Sequence, residues 1–60
     1  MNKAEAEIIA EILMTADGGC YICASNLFKN FNAYFHGFED TLNAVWGKEY
    51  TPPDGWREVG

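Results

Sequence analysis

Sixty residues make one domain at most, residues 1–60, and a chain this short buries only about 60% of the surface its unfolded form exposes. Apolar content of 48% and nine aromatic side chains exclude a disordered chain. Nine carboxylates against four basic residues, for a net charge of −5, exclude direct attraction to DNA, RNA or an anionic membrane.

The first periodic segment spans residues 3–16. Ile8, Ile9, Ile12, Leu13 and Ala16 fall within one arc at 100° per residue, with Lys3, Glu7 and Glu11 on the other side, which predicts an amphipathic helix. Asp17-Gly18-Gly19 is expected to stop it, because glycine tolerates the left-handed conformation that closes a last turn. Glu5, Glu7 and Glu11 interrupt the stretch where an export signal would need an apolar run, and nothing approaches the length of a membrane span. The expected location is the cytoplasm.

Residues 23–36 carry the clearest pattern. Cys23, Ala24, Leu27, Phe28, Phe31, Tyr34 and Phe35 fill one arc, while Ser25, Asn26, Lys29, Asn30, Asn32, Ala33 and His36 fill the rest. Gly37 should end this second helix, with Phe38 packing back on it. A third, shorter helix is expected at residues 38–46 from Phe38, Leu42, Val45 and Trp46, with Glu39 and Asp40 in the first turn where acids suit the helix dipole. Gly47 should terminate it. Beyond it, Thr51-Pro52-Pro53-Asp54-Gly55 is a turn signal between two short flanks rich in strand formers. The expectation is a mainly α mini-bundle of three short helices with a C-terminal extended arm or small hairpin.

Cys20-Tyr21-Ile22-Cys23 is the segment most suggestive of chemistry, and several readings compete for it. With His36 the spacing is C-x2-C-x12-H, three-quarters of a zinc-finger pattern, with Asp40 the nearest substitute for the missing ligand. A continuous helix over residues 23–36 argues against that site, because it sets Cys23 and His36 roughly 20 Å apart on nearly opposite faces. C-x-x-C at a helix N-terminus also suits redox chemistry, but no strand–helix unit accompanies it. The pair can equally form a minor intramolecular staple, or stand as two thiols acting as small apolar groups. No metal or other cofactor is expected. His36 is the only histidine, so Ser25 and Thr15 have no triad to join, and there is no phosphate-binding glycine loop. An enzyme is not expected.

Two surface features are left to carry a binding function. One is acidic: Glu7 and Glu11 on the first helix, Glu39 and Asp40 at the start of the third. Carboxylates on rigid helices can imitate spaced phosphates and be drawn to a basic nucleic-acid channel, or they can be an ordinary solvated face that keeps the domain soluble. The other is the aromatic tail, with Trp56 either an interface anchor or a plug folded back on a core too small to close by itself.

With its E-A-E-I-I-A-E-I-L helix, D-G-G-C-Y-I-C-A turn and aromatic L-F-K-N-F-N-A-Y-F-H-G-F helix, the whole chain resembles the small phage-encoded anti-CRISPR proteins, most closely those acting on type I effector complexes. The resemblance implies an inhibitor working in the host bacterial cytoplasm. It would bind the effector complex directly and keep target DNA out. On the charge argument the expected partner-binding residues are Glu7, Glu11, Glu39, Asp40 and Trp56. The expected partner is a protein with a basic nucleic-acid-binding surface, a CRISPR effector subunit, met by a monomer without direct contact to nucleic acid or membrane. The alternative is a small metal- or thiol-linked dimerising assembly domain that uses Cys20 and Cys23.

Overall fold

Asn2 and Glu5 start the first helix by capping each other. Asn2 Oδ1 accepts the Glu5 N–H at 2.8 Å, and Glu5 Oε1 accepts the Asn2 N–H at 3.0 Å, so two amide donors that the helix itself leaves unpaired are satisfied. In the computed structural model, which describes residues 1–16 and 18–59, α1 runs over Lys3–Ala16, α2 over Tyr21–Tyr34 and α3 over Glu39–Trp46, and a 3-10 turn, η1, covers Gly55–Arg57. The mainly α mini-bundle is observed, with no strand among the described residues. Of the expected stop after α1, Asp17 lies outside the described residues; Gly18 and Gly19 adopt φ of 65° and 84°, the left-handed region glycine was expected to supply.

The second helix starts earlier and ends earlier than its apolar pattern suggested. Cys20 acts as its N-cap, with Sγ accepting the Cys23 N–H at 3.1 Å, so Tyr21 and Ile22 are already helical. At the other end Phe35 leaves helical geometry (φ −131°, ψ 86°), and Gly37 at φ 94° completes the reversal. Phe38 returns against Phe31 with ring centroids 6.2 Å apart, as expected of a residue just past a helix end. The third helix keeps its expected extent to within a residue and carries Glu39 and Asp40 in its first turn.

The core consists of Ala6, Ala10, Ala24, Phe28, Phe31, Leu42, Val45, Trp46 and Trp56, with Ile9, Leu13, Met14, Phe38 and Tyr50 packed around it. α1 lies against both α3 and α2. Its two fully buried side chains are alanines, so its backbone comes close to its neighbours. The rest of the volume is filled by edge-on aromatics: Tyr21 and Phe28 lean on Trp46, and Phe28 also meets Trp56, with centroids 5.1, 5.4 and 6.1 Å apart. The shortest extent of the molecule is 18 Å. That is under two helix diameters, so each helix turns one face to this cluster and the other outward.

Two helix faces are rotated from their expected positions. On α1 the buried stripe is Ala6, Ala10 and the inner sides of Ile9, Leu13 and Met14, whereas Ile8 and Ile12 are each 59% exposed. On α2 the buried stripe includes Ser25, and Tyr34 points outward at 82% exposure. Ser25 tolerates full burial because its hydroxyl donates to the Ile22 carbonyl at 2.8 Å.

The tail is neither an extended arm nor a hairpin. After Trp46 the chain turns tightly, with the Lys48, Glu49 and Tyr50 amides donating back to the last carbonyls of α3. Gly47 has an ordinary right-handed conformation there. What it supplies is room, since a Cβ would stand 3.1 Å from the Asn43 carbonyl oxygen and 3.3 Å from the Pro53 ring. Past the cis Thr51–Pro52 bond, η1 inserts Trp56 beside α2. Arg57 covers the outer face of that indole, and Lys29 on α2 donates its ammonium to the Val59 carbonyl.

Candidate functional site

The exposed carboxylates of α1 stand on its outer side. Glu7 and Glu11 are one turn apart, and Glu11 Oε1 is 2.6 Å from Lys48 Nζ, which reaches across from the turn after α3. That hydrogen bond, then the charges of Glu11 and Glu7, raise the Lys48 pKa above its ordinary value. The pair is half-exposed on both sides and therefore screened by salt.

The second acidic group opens α3. Glu39 is half-buried, and its Oε1 accepts the Gly37 N–H at 2.8 Å. Hydrogen bonds from its own backbone N–H and from that of Gly37 lower its pKa below the ordinary value, helped by the charges of Arg57 and His36. Asp40 beside it is exposed. Lys48 follows the end of α3 and Glu39 begins it, so the two acidic groups lie at opposite ends of an eight-residue helix, about 12 Å long at 1.5 Å per residue. They form two patches, each with a basic neighbour.

Trp56 does not belong with them. It is 1% exposed, and its Nε1 donates to Asn43 Oδ1 at 2.7 Å inside the fold. A side chain this enclosed offers a partner no surface, so the expected interface anchor is corrected to a core residue. The reason is the small size of the three-helix core, which leaves Phe28 without a neighbour on one side until the tail supplies one.

Cys20 and Cys23 are joined as a disulfide across the first turn of α2, with Cα atoms 5.2 Å apart. His36 lies beyond the other end of that helix, about 20 Å away along the axis. The C-x2-C-x12-H spacing is thus not brought together, and no group of three His, Cys, Asp or Glu side chains among the described residues could hold a metal ion.

Sequence reasoning missed the outward face of α1. Ala4, Ile8, Ile12 and Ala16 are all exposed and repeat every four residues, so they form one ridge along the helix. Ile8, Glu11, Ile12, Thr15 and Ala16 line a shallow depression of about 390 Å³ on that face. A second hollow of about 480 Å³ lies between α1 and the end of α3, with Met14 and Val45 at its base and Glu11, Lys48 and Glu49 at its rim. The i+4 spacing of Ile8 and Ile12 was visible in the sequence, but the same residues equally suited a core-facing stripe.

No helix among the described residues is long and apolar enough to cross a membrane. Comparison with known protein families, with curated proteins and with solved structures finds no match to this chain.

Proposed function

We propose that this chain is a binding domain that docks its carboxylates onto a basic, nucleic-acid-handling surface of a protein partner. The observation that carries the reading is the placement of exposed carboxylates on rigid elements, Glu7 and Glu11 on α1 and Asp40 on the first turn of α3, in a molecule of net charge −5. A lysine- or arginine-rich groove attracts such a field at long range, and fixed carboxylates lose little freedom on contact. The two acidic groups, at opposite ends of α3, would each meet a separate cation of the partner. The resemblance to anti-CRISPR proteins names the partner as a type I CRISPR effector complex and the outcome as exclusion of target DNA.

The test is competition between the purified chain and a labelled target duplex for a purified type I effector complex, at low and at high salt. The chain is expected to displace the duplex at low salt and to weaken steeply as salt rises. The combined Glu7→Gln, Glu11→Gln, Glu39→Gln and Asp40→Asn variant is expected to lose the effect. Undiminished inhibition by that variant sinks the acidic mechanism.

A second reading, an assembly domain linked through Cys20 and Cys23 by thiols or a shared metal, rests on the exposure of Cys23 at the start of α2 and requires that the Cys20–Cys23 bond first be opened. A dimer that dissociates on reduction or chelation supports it. A monomer under every such condition removes it.

A further inference from the structure

The Cys20–Cys23 bond is not symmetrical. Cys23 is exposed at the third position of α2, while Cys20 is half-buried as the N-cap. Cys20 Sγ accepts the Cys23 N–H at 3.1 Å, and no donor reaches Cys23 Sγ among the described residues. One sulfur is thus open to attack. The other is already hydrogen-bonded where negative charge would be left when the bond breaks.

Both features select the same direction of exchange. Thiol–disulfide exchange is fastest at the sulfur an incoming thiolate can reach, and when the departing sulfur is the better stabilised thiolate. Cys20 Sγ sits at the amino end of a 14-residue helix with no acid in its first turn, where the helix dipole favours an anion. No carboxylate occurs from Gly18 to Phe28, although the chain as a whole carries −5. An anionic thiol therefore meets little repulsion from this segment. Ile22, next to Cys23, is 61% exposed, so the turn is open to solvent on that side. Neither hollow described above borders it. Nothing here cradles an extended protein segment, and a small thiol needs no such groove.

We infer that Cys20–Cys23 is a reversible exchange site for a low-molecular-weight thiol, with Cys23 as the attacked sulfur and Cys20 as the leaving and resolving one. The incoming thiolate bonds to Cys23 Sγ as the Cys20–Cys23 bond breaks, and the electron pair of that bond departs on Cys20 Sγ, held by the Cys23 N–H. A second small thiolate then attacks the small-molecule sulfur of the mixed disulfide, and the electron pair leaves on Cys23 Sγ. Two small thiols become one small disulfide, and their protons pass to the two cysteines. In reverse, the Cys23 thiolate attacks a small disulfide and expels one small thiolate. The Cys20 thiolate then attacks Cys23 Sγ and expels the other. This activity is independent of the acidic surface, and it differs from the assembly alternative because both sulfurs stay within one chain.

The test incubates the oxidised full chain with reduced glutathione, quenches with acid, alkylates free thiols and locates the adduct by tandem mass spectrometry. Glutathione is expected on Cys23 in at least about tenfold excess over Cys20. Two single variants check the roles. Serine is a good helix N-cap, so Cys20→Ser should keep the parent's circular dichroism. With oxidised glutathione it should hold a stable adduct on Cys23, which the parent should resolve to the internal disulfide. Cys23→Ser is expected to form its adduct on Cys20 at least about tenfold more slowly than Cys20→Ser does on Cys23. An adduct mainly on Cys20, or equal rates in the two variants, overturns the assignment. A bond that reduced glutathione leaves intact while dithiothreitol opens it makes the pair a structural staple and overturns the exchange activity. Chains linked to one another through these cysteines support the assembly alternative and also overturn it.

Discussion

Trp56 and Asn43 show how one polar contact can hold a distant part of the chain. The indole N–H has an acceptor at 2.7 Å in Asn43 Oδ1, while Trp46, equally enclosed, has its Nε1 buried without an acceptor among the described residues. Trp46 is therefore kept in place by packing, and Trp56 by packing and a hydrogen bond. Asn43→Ala should leave the Trp56 donor buried and unpaired at a cost of about 1–3 kcal/mol, a large share of the roughly 3–9 kcal/mol that about 0.05–0.15 kcal/mol per residue implies for a chain of this size. Urea unfolding followed by tryptophan fluorescence measures it; a midpoint equal to the parent's contradicts the assignment. Glu39 acts through charge. Its lowered pKa means that the folded state prefers the carboxylate, so its stabilisation is complete above the ordinary value of 4.5 and fades as pH falls below it through the folded value. Glu39→Gln should thus lie below the parent in melting temperature at neutral pH, and the gap should close on acidification. A gap that stays constant down to strongly acidic pH rules this out.

At the scale of elements, each helix has its own terminal device. α1 begins in the Asn2–Glu5 reciprocal cap, α2 in the Cys20 sulfur, and α3 with Glu39 and Asp40 in its first turn. The Cys20–Cys23 bond closes a loop of only four residues, for which chain entropy gives about 2 kcal/mol at most. Reduction should therefore lower the melting temperature without unfolding the protein at room temperature, with the shift scaling as about 4–8 °C per kcal/mol. Thermal melts with and without reductant, alongside a thiol count, measure the effect; complete loss of helical signal on reduction would show that the staple carries far more than its loop length allows. A reducing cytoplasm would keep these two residues as thiols, in which case the Cys20 sulfur would still be placed to cap the Cys23 amide.

For the molecule as a whole, three helices do not enclose their own aromatics. Phe28 is covered by Trp56, and Trp56 arrives only because the chain turns at Gly47, crosses the Pro52-Pro53 segment and returns beside α2. The tail is thus structural, and the proposed binding role is left to exposed groups such as Glu7, Glu11 and Asp40.

Helix positions were legible in the residues themselves. A 3.6-residue period, glycines at 18, 19 and 37, and acids ahead of Leu42 are local signals, and local hydrogen bonding within a helix obeys them wherever the helix lies. The choice of buried face was not legible. Ile9 and Leu13 belong to both possible stripes of α1, and whether Ala6 and Ala10 or Ile8 and Ile12 join them depends on the neighbouring helices. The fate of Trp56 was equally open, since an indole beside a proline turn suits an interface as well as a core. Burial is a property of what lies opposite, and only the packed chain brings residues 8, 43 and 56 into relation with their surroundings.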